Sequence, residues 1–418
     1  MLSDKPKYIR TVLGRTTINE LISNNKGSSV LQGYPKITAL PSEHLIQNLC
    51  DYLNPIEGQD PKELICLKNL SKIIIHPFSF FDNLNLESDE VKISNALSHL
   101  SNKYNTQLVC DVTNKTHGNN LSALKEVSKI SKVNICTGVS LDYSYQDIKK
   151  YSNDLRYELI YGKDDKDIPS FISEVFLKEK FPIDSKEEEL FNMLINDVIN
   201  VHETPIFIKL NGSQKNIDSN TIIPWFNSKK ITHKTKIVFE VSIGDYDTYE
   251  SIKALIMQIV VNGYSVVIGL YDCDINNKEK ISNNPIDSYY NDNKAKFINE
   301  VLIGMRQYIA QIMISNNINF KIQLKEYGGF GYENIFDNYY KVITKGLTQK
   351  EIEMLFYENL FQLLQWWKEI ERDAKKAKMI KCEQCGVEKE ENDPDLFRKF
   401  DKTFCTFSCL KKYINTHK

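Results

Sequence analysis

The chain has 418 residues, 41% of them hydrophobic and 26% charged, and its 53 basic side chains against 55 acidic ones leave a formal net charge of −2. That length allows two or three domains, or one barrel of roughly 250 residues with additions. The balanced charge argues against a general nucleic-acid or membrane-surface binder, which needs a basic excess.

The opening residues, MLSDKPKYIR, carry no apolar core. No secretory signal is therefore expected, and the nine cysteines are read as free thiols in a reducing, cytoplasmic setting. Short apolar runs then recur along the chain. Candidate strands lie near Ser28–Tyr34, Gln107–Thr113, Val133–Val139, Phe171–Phe176, Pro205–Leu210, Lys236–Val241, Tyr264–Tyr271 and Gln311–Asn316. Most are continuous hydrophobic runs, as strands covered on both faces should be. Helical patterns separate them. Asn120–Ile130 sets Leu121, Leu124, Val127 and Ile130 on one stripe. Ser185 to Glu188 reads as a capping box that opens a helix through Val201, and Asp247–Val261 is a helix ended by Asn262-Gly263. The longest uncharged run, Ala254 to Tyr271, holds Gln258, Asn262, Gly263 and Ser265, so a helix, a turn and a strand fit it better than a membrane span.

Eight strands alternating with helices point to an α/β protein, a (β/α)8 TIM barrel. A doubly wound sheet stays open, because periodicity does not show closure. The long gap between the first two strands predicts an insertion around residues 36–105, either helical or an elaborated first loop, around Pro41–Leu53 and Ser88–Tyr104. The barrel is expected over 1–345. Residues 346–380 are expected as a helix and linker that opens with a capping box at Thr348 and runs through Trp366 and Trp367. The adjacent tryptophans are read as packing against the barrel.

The tail, 381–418, carries the chemistry that spacing makes plainest. Cys382-x2-Cys385 and Cys405-x3-Cys409 are two close pairs of thiols 19 residues apart. Four thiolates satisfy tetrahedral Zn²⁺ and leave no open position, so one structural zinc ion is expected there. Phe404, Phe407, Leu410 and Tyr413 would supply the module's small core. Free thiols on an unfolded tail are the bland alternative.

Several stretches resemble the phosphotriesterase-related family of the amidohydrolase superfamily. Tyr8-Ile9-Arg10-Thr11-Val12-Leu13-Gly14 is similar to that family's opening segment, and Cys110-Asp111-Val112-Thr113 to its second strand. Tyr327-Gly328-Gly329-Phe330-Gly331-Tyr332 resembles its YGGHGY loop, with Phe330 in place of His, and Gly346-Leu347-Thr348 through Glu358-Asn359 resembles its last helix. The resemblance spans about residues 8 to 365 and implies a (β/α)8 barrel. It also implies a metal-dependent hydrolase with two divalent ions. Those ions are held by an HxH on strand one, a carboxylate on strand four, single histidines on strands five and six and an Asp on strand eight. They would activate a bridging water.

Carried onto this chain, strand one falls near Gln32-Gly33-Tyr34, where Gln32 and Tyr34 replace both histidines. Glu174 retains the carboxylate, while Lys209, Val241 and Asn317 fall at the remaining three positions. No metal is expected in such a barrel, and no catalytic residue is assigned. Lys209 is expected to pair with Glu174. The seven histidines are read as surface or packing residues, with His117 the one nearest a barrel mouth. These expectations describe a catalytically inactive barrel acting as a scaffold subunit in a protein assembly, cytoskeletal or other. Its partners would be proteins rather than membrane or nucleic acid, and a homo-oligomer is compatible. The alternative is a metal-dependent hydrolase with an altered site.

Overall fold

The computed structural model describes residues 8–23, 33–162, 167–177, 184–210, 219–243, 249–271, 292–366, 379–390, 396–399 and 402–416. The chain divides into two compact units, Met1–Trp366 and Trp367–Lys418.

The first unit is a (β/α)8 barrel. A hairpin of β1 (Tyr8–Thr11) and β2 (Gly14–Thr17) precedes it. Its eight parallel strands are β3 (Thr38–Glu43), β4 (Thr106–Asp111), β5 (Asn134–Val139), β6 (Phe171–Phe176), β7 (Ile206–Leu210), β8 (Ile237–Ser242), β9 (Ser265–Gly269) and β10 (Ile312–Ser315), each paired with the next in chain order. Seven of the eight expected strands overlap these. The first does not. Barrel strand one is β3, several residues downstream of Ser28–Tyr34, and Gln32 lies outside the described residues. Pro41, inside β3, hides the strand, because proline cannot donate to a central ladder.

Strand parity sorts the core into layers. Phe207, Val238, Val267 and Met313 point inward and fill the lower barrel with Leu108, Cys110, Cys136 and Phe171. Ile208, Leu210, Phe239 and Val241 point outward under the helices. The hairpin braces the base: Val12 N donates to Ile135 O at 2.8 Å, and the buried Arg10 guanidinium stacks 3.4 Å over Trp366.

The edges of the sheet meet through a side chain. Glu43 Oε1, at the end of β3, accepts from Ser315 Oγ and Asn316 N, both at 2.8 Å, and Oε2 accepts from Ile318 N at 3.0 Å. Burial pushes the Glu43 carboxyl up, and these donors oppose that.

Local chemistry explains most helix boundaries. Asn120 caps Leu121–Ser131 through Ala123 N. The helix beginning at Ser185 is capped by Asp184, one residue before the expected box, and it passes through a π-helical turn at Leu194–Ile199. Thr348 and Glu351 form the expected capping box. That last helical run ends at Leu364, short of the tryptophans, with its apolar face in the barrel core. Trp366 is buried, and Trp367 lies outside the described residues.

The insertion after β3 holds the helix Glu90–Tyr104, while Pro41–Leu53 proves to be the end of β3, a loop and one 3-10 turn. It has its own core of Leu49, Ile73, Phe78, Phe80 and Leu84, shared with Phe320, Ile322 and Phe176 from the mouth of the barrel. Lys321 ties it down by pairing with Asp82 at 2.8 Å and Asp89 at 2.9 Å.

Among the described residues, the second unit holds four short strands and one helix. Strand β11 (Met379–Lys381) pairs with β12 (Glu388–Glu390), and β13 (Phe397–Lys399) with β14 (Lys402–Phe404), before the helix Phe407–Thr416. No described helix in either unit is long and apolar enough to cross a membrane.

Candidate functional site

The C-terminal strand ends of a (β/α)8 barrel are where side chains from many strands converge. Here the inward positions turn from apolar to polar at that end. Ser42 and His44 come from the end of β3, Glu174 from β6, Lys209 from β7, and Glu240 and Ser242 from β8. All are at least nine-tenths buried.

Glu174 is the centre. Its Oε1 lies 2.8 Å from Lys209 Nζ, and its Oε2 lies 3.3 Å from His44 Nε2. Burial alone would raise this carboxyl, but Lys209 and His44 outweigh it and hold Glu174 well below the ordinary range. His44 is oriented from its other side, where Nδ1 faces Ile318 O at 3.1 Å. Glu240 sits directly across the β7–β8 ladder from Lys209. Its Oε1 accepts from Ser42 Oγ. Burial and then the Glu174 charge drive its carboxyl well above the ordinary range, against the pull of Lys209.

Asn317 follows β10 in a left-handed conformation with φ of +59°. Its Nδ2 donates to Ser242 Oγ at 3.1 Å, and its Oδ1 has no hydrogen-bond partner among the described residues. The YGG loop braces this turn, since Asn316 Nδ2 donates to Tyr332 O at 2.8 Å and Ile335 N donates to Asn316 Oδ1 at 3.0 Å. Gly329 is obligatory there: a Cβ would stand 2.2 Å from the Gln323 backbone. At the rim, His117 Nε2 meets Tyr52 OH at 2.9 Å, edge-on to Phe176. Burial lowers its pKa to about 4.

The structure thus brings Glu174 and Lys209 together as expected and sets Asn317 beside Ser242. It corrects three assignments. Tyr34 is not at the mouth: it stacks on Tyr340 at 4.1 Å and donates to Phe336 O, among the helices outside the barrel. The end of strand one instead carries Ser42-Glu43-His44, and His44 is buried at the mouth against Glu174 rather than on the surface. Val241 points outward, and the inward residue of that strand is Glu240, because one residue of slip reverses the face. The missed signal was a lone polar residue inside each apolar run. In a strand covered on both faces, such a residue has only the mouth to face.

In the second unit, the ligand atoms of Cys382, Cys385, Cys405 and Cys409 all lie within 4.8 Å of one another. Among the described residues this is the one such group of three or more His, Cys, Asp or Glu side chains. The Cys385–Cys405 and Cys405–Cys409 sulfurs are 3.4 and 3.6 Å apart. A tetrahedral ion with bonds of about 2.3 Å spaces its sulfurs about 3.8 Å apart, so the group could hold a metal ion. Gly386, with φ of +73°, makes the first turn. Glu383 N donating to Thr403 O at 2.9 Å joins the two hairpins. Phe404 and Leu410 pack beneath the cysteines with Tyr413, while the Phe407 side chain lies outside the described set.

No protein-family model matches the chain. It is 22% identical over 342 residues to the N-acetyltaurine hydrolase of Danio rerio, covering 76% of this chain and 90% of that one. A resiniferatoxin-binding protein from Rhodobacter sphaeroides superposes with a TM-score of 0.62 at 16% identity, over 85% of this chain and 94% of that one. The phosphotriesterase homology protein of Escherichia coli does so with a TM-score of 0.53 at 15% identity, over 79% and 98%. At these identities the likeness establishes the fold, a phosphotriesterase-like barrel.

Proposed function

We propose that this barrel does not perform two-metal hydrolysis and serves as a structural, protein-contacting subunit, with one zinc ion holding the C-terminal module together. The observation that carries the reading is the 2.8 Å pair between Lys209 and Glu174. The resemblance implies two cations bridged by the strand-four carboxylate. In this chain a tethered ammonium lies against that carboxylate. Ser42, Lys209 and Glu240 stand where imidazoles are required, and Asn317 where an Asp is; only His44 and Glu174 keep ligand types from that pattern. A protonated lysine offers no lone pair, so this set does not fit a binuclear centre. No hydrolytic step is therefore derived through metal ions here. A stable barrel can lose its chemistry and keep its surface. The cytoplasmic setting and protein partners remain parts of this proposal.

A second reading has one observation in its favour. His44 and Glu174 meet at the mouth, and the N-acetyltaurine hydrolase is a distant relative. On that reading the chain is a hydrolase with an altered site. Metal analysis separates the two. We expect one zinc per full-length chain and none in a truncation ending near Lys378. Metal retained by the truncation, together with amide or ester hydrolysis lost on chelation, would overturn the structural reading. The scaffold role further requires the native protein to elute from cell extract within a larger particle; elution as a lone chain would count against it.

A further inference from the structure

We propose that the tip of the insertion, Leu64 to Leu67, is a self-association site at which two copies of this chain meet about a two-fold axis. The inference adds one partner to the protein-contacting subunit proposed above, yet it stands on the insertion's surface and does not depend on the metal content of the barrel. Leu67 is 93% exposed and Leu64 73%, the two most exposed large apolar side chains among the described residues. A single exposed leucine needs no explanation. These two are held outward by polar groups behind them. Asn69, itself buried, accepts from Cys66 N at 2.9 Å through Oδ1 and donates from Nδ2 to Leu64 O at 3.0 Å. Ile65 N donates to Asp82 Oδ2 at 2.9 Å, and Phe81 N donates to Pro61 O at 2.9 Å. Asp82 is fixed in turn by the buried Lys321 ammonium. Between the leucines, Ile65 packs on the insertion's own core, as does Leu70 beyond them. The tip is therefore ordered before any contact forms, which removes much of the entropic cost of docking.

The charges around the tip identify the occupant. On its N-terminal side Glu57, Asp60, Lys62 and Glu63 leave a net charge of −2, and on its C-terminal side Lys68 and Lys72 give +2. All six are exposed. An apolar centre that is acidic on one side and basic on the other is complementary to itself after a half-turn. Glu63 of one copy then faces Lys68 of the second, and Lys68 of the first faces Glu63 of the second. An isologous contact requires this self-complementarity. The leucines of both copies meet at the axis, with the exposed Cys66 between them. Such a contact is small beside the roughly 800 Å² that each partner of a stable complex buries, so the dimer is weak and concentration-dependent.

The test is analytical ultracentrifugation of the full-length protein over a concentration series, with metal content measured on the same samples. Wild type is expected to pass from monomer to dimer as concentration rises. Leu67→Asp should weaken association by at least about tenfold, the worth of one buried leucine. Glu63→Lys and Lys68→Glu should each weaken it about two- to fivefold, because each sets like charges together at the rim. The double variant Glu63→Lys/Lys68→Glu should return to wild-type association, since both ion pairs re-form with their signs reversed. That recovery is peculiar to a self-contact; toward any other partner the double swap is worse than either single one. A short bismaleimide should join two wild-type chains, and Cys66→Ser should abolish the link. Monomer at every concentration, a dimer indifferent to Leu67→Asp, or a double swap weaker than either single variant would overturn the self-contact. A second metal per chain would overturn the structural reading of the barrel and leave this contact standing.

Discussion

Replacing Lys209 by Met removes the ammonium and keeps most of the side-chain volume. The pair is deep: the Lys209 side chain is 3% exposed and that of Glu174 2%. Removing one partner of a buried ion pair costs roughly 3–5 kcal/mol, because the other charge stays buried and uncompensated. His44, 3.3 Å away, still faces the carboxylate, which places the expected loss at the lower end, about 3 kcal/mol. Denaturant unfolding followed by tryptophan fluorescence reads the barrel, since Trp225 and Trp366 lie in the first unit.

The pH dependence has a definite sign. Glu174 is depressed in the folded state, so it contributes stability above the ordinary carboxyl range that disappears as pH falls. Lys209→Met removes most of that contribution, so the gap between variant and wild type should narrow in acid. The double variant Lys209→Met/Glu174→Gln should recover most of the loss, because no charge is then stranded. A loss under about 1 kcal/mol in the single variant, or strictly additive losses in the double, would refute the claim that this pair neutralises the mouth.

Glu43→Gln tests the seam between the first and last barrel strands. One amide oxygen replaces two carboxylate oxygens that serve Ser315 Oγ, Asn316 N and Ile318 N. At least one buried donor loses its acceptor, for an expected loss of about 1–3 kcal/mol in denaturant unfolding. His117 is held neutral down to about 4. Its unfolded form takes up a proton at a higher pH, so the wild type should lose stability as pH falls from about 6.5 to 4. His117→Asn should flatten that part of the curve, and unchanged acid sensitivity would show that other groups set it.

Much of this architecture is written locally. Strands covered on both faces are apolar runs whatever their neighbours, so β4 to β10 are legible without a fold. Four cysteines in two tight pairs announce their convergence, because each pair needs only one sharp turn. Glu174 and Lys209 stand out as charges inside such runs. What local pattern could not supply was parity and offset. In a strand apolar on both faces, neighbouring residues look alike, so Glu240 and Val241 are told apart only by the ladder that sets Glu240 beside Lys209.

The first strand carries Pro41, and nothing local marks its polar end as a site. His44 acquires meaning only when β3 lies against β10 and the ring comes within reach of Glu174, 130 residues away in sequence. The sequence by itself determined seven of the eight barrel strands and most of the helices between them, and set four thiols in two pairs able to meet. Closure of the barrel decided which polar residues face one another, because only tertiary packing removes those side chains from water and forces each buried charge to find its partner there.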